Sequence, residues 1–137
     1  MQSTFFKLVR VGLKVILVIG IGVLVYLTVC FIARRYEAEE TKHLFREHRD
    51  AFSSALEIEG REISPFNATL QKEVPDELKE LGIGEIYEVN GSAFFEWNQR
   101  VLRMFPKGIL YTEDEQRIPH WYHIEKIENA WYYYLYN

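Results

Sequence analysis

Much of the usual chemical equipment of a small enzyme is missing from this sequence. One cysteine, Cys30, occurs in 137 residues, and it lies inside an apolar stretch. The rest of the chain therefore holds no thiol, and can form neither an internal disulfide nor a cysteine metal site. No GxSxG elbow is present, and the serines fall on an amphipathic segment (Ser53, Ser54) or in turn contexts (Ser64, Ser92). The pair Gly82 and Gly84 is followed by a strand-like segment rather than a helix, so it offers no helix N-terminus to a phosphate. His43 and His48 are five apart with Glu47 between them, which is not the HExxH arrangement.

Charge of one sign is also missing, in different places. Residues 1–35 contain five Lys/Arg and no Asp or Glu, whereas residues 36–137 contain eleven Lys/Arg against all twenty acids. The C-terminal part thus carries about −9, a field that repels nucleic acid in the absence of a basic patch. No such patch is visible, and no nucleic-acid partner is expected.

Uncharged residues dominate elsewhere. Residues 15–33, VILVIGIGVLVYLTVCFIA, are nineteen in a row without a charge. Extension back to Val11 adds only Lys14, whose long stem reaches the headgroup region. At about 1.5 Å per residue the stretch matches a hydrocarbon core of about 30 Å, which predicts a transmembrane helix over 11–33 and the lipid bilayer as a partner. Two other readings are weaker. A core helix of a soluble protein needs a domain large enough to cover all its faces. A cleaved signal is opposed by the length of the run, by Arg34 and Arg35 where cleavage would fall, and by the lack of an Ala-x-Ala pattern. The tail 1–10 is purely basic, with Lys7 and Arg10, while the basic residues after the span are mixed with acids. This orients the N-terminus to the cytoplasm and the domain outside.

Residues 36–137 are expected to form a soluble α+β domain. Leu44, Phe45, His48, Ala51, Phe52, Ala55 and Leu56 recur at three-and-four spacing, which predicts an amphipathic helix continuing or following the span and stopping at Gly60. A loop, EISPFNATLQKEV, comes next; its Asn67-Ala68-Thr69 is a chance-level sequon. Pro75 to Gly82 has the proline-first, glycine-last order of a short helix. Residues 85–97 form a hairpin about Asn90-Gly91. A second hairpin can be drawn from 108–112 through 113–116 toward Ile118 or 121–127, and 130–136 is the last strand. In that strand Trp131, Tyr133 and Leu135 point one way and Tyr132, Tyr134 and Tyr136 the other. The layout is an antiparallel β-meander of about four strands covered by helix.

Histidines and aromatics are the remaining chemistry. His120 and His123, with Glu125, are the nearest approach to a metal set, but an extended backbone sends residues three apart to opposite faces. No third or fourth ligand follows from spacing, so no metal or other cofactor is expected. Trp97, Tyr111, Trp121, Tyr122, Trp131 and Tyr133 are the candidate binding surface, because the aromatics exceed what one small core obviously consumes.

Gly108-Ile109-Leu110-Tyr111 and Ile127-Glu128-Asn129-Ala130-Trp131-Tyr132-Tyr133-Tyr134, with Leu78-Lys79-Glu80-Leu81-Gly82-Ile83 before them, resemble the C-terminal part of small bacterial membrane-anchored proteins of uncharacterised function. There a GIxY strand precedes a helix or loop and a closing WYYY-like strand. The resemblance implies a bacterial envelope protein and brings no catalytic residues with it. The expected function is a membrane-tethered interaction or accessory module with a protein or envelope partner. The alternatives are an immunity-type protein that binds a toxin at the membrane and a small metal-dependent enzyme using His120 and His123.

Overall fold

A computed structural model describes residues 2–64, 68–98 and 106–136, with side chains in the first helix from Val9 onward. Pro65 and the sequon residue Asn67 fall outside the described residues, as does the side chain of Lys7. The chain divides into two compact units, Met1–Glu39 and Glu40–Asn137.

The first unit is helical. It belongs to α1 (Gln2–Glu47), which is long and apolar enough to cross a membrane, and none of its most apolar stretch is buried by protein. Ile16, Val18, Leu24 and Phe31 are among the large apolar side chains that stand exposed along it. The Thr28 hydroxyl is satisfied within the helix, donating to the Leu24 carbonyl at 2.8 Å.

In the second unit, the last turns of α1 lead into α2 (Arg49–Leu56) through His48, whose φ of −114° and ψ of 25° interrupt the helix. The amphipathic helix expected from the spacing is present but broken, and it stops at Leu56 rather than Gly60. Lys72 reaches the exposed helix end, donating to the Leu56 carbonyl at 2.6 Å while pairing with Glu88 at 3.2 Å. Gly60 serves packing instead, since a Cβ there would lie 2.7 Å from that of Leu70.

Seven strands, β1 (Arg61–Ser64), β2 (Thr69–Lys72), β3 (Ile83–Val89), β4 (Ser92–Trp97), β5 (Lys107–Tyr111), β6 (Tyr122–Glu128) and β7 (Trp131–Tyr136), form one antiparallel sheet in the order β1-β2-β3-β4-β5-β7-β6. The short helix α3 (Asp76–Glu80) joins β2 to β3 and buries Leu78. The fold is α+β, as the sequence led one to expect, but two features differ. The presumed loop after Gly60 supplies β1 and β2, a hairpin added to the sheet. The second hairpin drawn from β5 toward residues 121–127 does not form, because β7 lies between β5 and β6. A strand with apolar residues on both sides suits an interior position, and β7, unlike β6, has that pattern.

Helices cover one face of the sheet. Phe45, Phe52 and Ala55 meet Ile86, Phe95, Ile109 and Trp131, with Leu78 and Val74 beside them. Two ion pairs tie the helices to edge strand β6: Lys42 with Glu125, and Arg49 with Glu128 at 2.5 Å. Lys42 holds the Glu125 carboxyl below its ordinary value of 4.5, with His123 adding to the effect. A depressed folded-state pKa contributes stability above the unfolded value, and loses it as pH falls through the folded one. Thermal unfolding followed from pH 7 to pH 3 is therefore expected to show a drop below about pH 4.5 that Lys42→Met shrinks. An unchanged drop in that variant would assign the acid sensitivity elsewhere.

Candidate interaction surface

The sheet places the six candidate aromatics on different sides. Trp131 is buried beneath the helices, with ring centroids at 4.9 Å from Phe45 and Tyr111, 5.7 Å from Phe95 and 6.3 Å from Phe52. Tyr133 is buried as well, and Trp97 packs half-buried against the same core. Tyr111 lies at its rim, where its hydroxyl donates to Glu113 at 3.1 Å. Partial desolvation and that carboxylate raise the Tyr111 pKa. Only Trp121, 56% exposed, and the half-buried Tyr122 stand on the surface of the other side.

That other face carries a second core, formed by Phe94, Leu110, Ile118, Tyr132 and Tyr134, with Tyr87, Val89, Tyr122 and Ile124 packed against it. No described helix of the α type contributes to it. What covers it follows from connectivity. Strands β5 and β6 both pair antiparallel to β7, so they run parallel and their connection must return along the length of the sheet. Residues 112–121 make that return as an extended strap with one 3-10 turn, Glu115–Arg117.

The strap is fastened residue by residue. Thr112 is buried and accepts from Ser92 at 2.9 Å, and Asp114 caps the turn by accepting from the Gln116 amide at 3.0 Å. Arg117 donates to the Asn90 carbonyl at 3.1 Å, in the β3–β4 turn. Ile118 inserts into the core, and the Tyr132 hydroxyl donates to Glu115 at 2.6 Å. That hydrogen bond to a carboxylate holds the Tyr132 proton, pushing its pKa up to about 12.

Beside the strap the rings interlock. Tyr87 stacks on Phe94 at 5.0 Å and 5°, while Tyr134 meets Phe94 edge-on at 5.4 Å. Tyr122 closes the group at 5.7 Å from Phe94 and 5.4 Å from Tyr134. Gly108 makes this possible: a Cβ there would sit 1.9 Å from the Phe95 carbonyl oxygen and 3.1 Å from the Tyr134 ring. The tyrosine thus lies over the space left by a missing side chain.

Three hydroxyls converge beside Glu96. Burial raises the pKa values of Tyr87, Tyr122 and Tyr134, and the Glu96 charge adds to each shift. The Tyr134 hydroxyl is fully buried next to that of Tyr87, yet makes no hydrogen bond of standard geometry among the described residues. Leaving a buried hydroxyl unpaired costs about 1–3 kcal/mol, so Tyr134→Phe is expected to leave the unfolding midpoint unchanged or to raise it. A loss above about 1 kcal/mol would show a hydrogen bond at that oxygen.

Glu85 stands directly opposite Glu96 in the β3–β4 pair. The candidate surface drawn from the sequence leaves out Tyr87, Phe94, Tyr134 and this acidic pair, although the signal for part of it is present. A two-residue Asn90-Gly91 turn pairs Val89 with Ser92, and stepping outward sets Tyr87 against Phe94 and Glu85 against Glu96. Positive φ at Asn90 (53°) and Gly91 (79°) gives the turn geometry.

The histidines remain apart. His123 lies 3.4 Å from Glu125, and His48 lies 3.5 Å from Glu77 near the start of α3. His120 is in the turn before β6. Among the described residues no three His, Cys, Asp or Glu side chains gather as a metal set. No protein-family model matches the chain, and no curated protein or solved structure matches it.

Proposed function

We propose that this chain is a single-pass membrane-anchored interaction protein of a bacterial envelope. Its N-terminus lies in the cytoplasm, and its acidic domain lies outside, where it binds a protein or another envelope component. The observation that carries this reading is the span itself. Large apolar side chains from Val9 to Ile32 stand exposed, and none of the most apolar stretch is covered by protein. Exposed apolar surface on that scale is costly in water and favourable in lipid. The purely basic leading tail supports the orientation. An interaction role is supported by the tightly built second face, whose acid pair and partly exposed tyrosines sit on a rigid sheet rather than on a loop.

A reporter enzyme that works only after export, fused behind Asn137, is expected to be active. Its cytoplasm-specific counterpart at the same position is expected to be silent. The opposite pattern would reverse the orientation.

A further inference from the structure

We infer that Arg10 and Lys14 hold the phosphate of an anionic phospholipid, one whose headgroup carries no cation of its own, in the cytoplasmic leaflet. This rests on the reading of the chain as a membrane-anchored protein with a cytoplasmic N-terminus, and it names the lipid class that meets the anchor there.

The two side chains are four residues apart in α1, so they share one face of the helix, and both are exposed. Every Cα–Cβ bond of a helix leans toward its N-terminus, which lets the long Lys14 stem bring its ammonium up to the level of Arg10. Two cations one turn apart repel each other, and a shared anion relieves them. The helix supplies no such anion nearby. No acid precedes Glu37, which lies about 35 Å of helix beyond Lys14.

The same face carries a shallow groove lined by Val9, Arg10, Leu13, Lys14 and Leu17. Its cations are at the end nearer the N-terminus, and Leu13 and Leu17 continue it toward the uncharged run that starts at Val15. A phospholipid has that order of chemistry, with phosphate outside and acyl chain inside. A guanidinium pairs with two phosphate oxygens at once, and the ammonium adds a point charge beside it. Free phosphate would use only the cationic half of the groove. A zwitterionic lipid brings a cation that opposes the pair.

The test mixes detergent-solubilised full-length protein with equal amounts of phosphatidylglycerol and phosphatidylcholine, and native mass spectrometry reads which lipid is retained. Phosphatidylglycerol is expected to be preferred roughly twentyfold, and Arg10→Gln or Lys14→Gln alone to lower that preference about fivefold. The decisive variant combines Lys14→Gln with Gly12→Lys. It keeps the net charge, meets open space at Gly12, and moves the cation to the other side of the helix from Arg10. Its preference is expected to fall as far as that of Lys14→Gln. An undiminished preference in it would show attraction to net charge and overturn the site. Displacement of the lipid by millimolar inorganic phosphate would overturn the lipid assignment. Equal retention of the two lipids, by protein that sediments with membranes in cells, would remove the site and leave the anchor standing. A chain that stays in the supernatant would remove both.

Discussion

Deletion of residues 11–33 is expected to move the protein from the sedimented membranes to the supernatant without unfolding its domain. Residues 11–33 belong to the first compact unit, and the sheet belongs to the second, which begins at Glu40. The C-terminal turns of α1 are part of that second unit and carry Lys42 and the buried Phe45. A cut after Arg35 therefore preserves the core, while a cut after His48 removes both residues and is expected to abolish cooperative unfolding. If the proposed anchor spans the bilayer, Leu24→Arg would place a charge near its centre at a cost of about 2.5–3.5 kcal/mol. Partial release into the soluble fraction is the expected outcome. Should the deletion variant sediment with membranes as the intact chain does, the anchor would have to be sought elsewhere.

Trp131→Ala is expected to be the most damaging single change in the domain. Its indole touches four rings, Phe45, Phe52, Phe95 and Tyr111, and so joins both helices to β4 and β5. Large-to-small changes of this kind cost about 3–5 kcal/mol, a large share of the 5–15 kcal/mol that holds a typical domain together. An unfolding midpoint lowered by roughly 20 °C follows for a unit of this size. Trp121→Ala is the matched control: 56% exposed on the strap, it is expected to change stability by no more than about 0.5 kcal/mol. Similar losses in the two variants would mean that the burial described for Trp131 does not carry the core.

The six aromatics chosen from composition show where sequence reasoning reaches its limit. Aromatic abundance marks residues that need cover without saying which ones obtain it. Trp131 obtains it from the helices, Tyr132 from the strap and Tyr134 from Phe94 and Tyr122, while Tyr133 is buried too and Trp121 is left most exposed. Strand β7 showed its alternation in the sequence, with aromatics on both faces, but alternation cannot name the neighbours that make both faces interior. Strands β1 and β2 were hidden for another reason. They are four residues each, largely polar and partly exposed, and they are held by pairing, β2 to β3 and β1 to β2, more than by any apolar pattern of their own.

The sequence by itself determined the features that depend on neighbours along the chain. Nineteen uncharged residues make a lipid-compatible helix whatever else folds, Asn90-Gly91 sets a local turn and its register, and three-and-four spacing marks the helical face. Tertiary structure alone decided that β7 separates β5 from β6, that the returning strap forms a second layer, and that three tyrosine hydroxyls meet beside Glu96. Those outcomes depend on which distant segments exclude water from one another most completely. That is a property of the assembled surfaces, and no local pattern of residues encodes it.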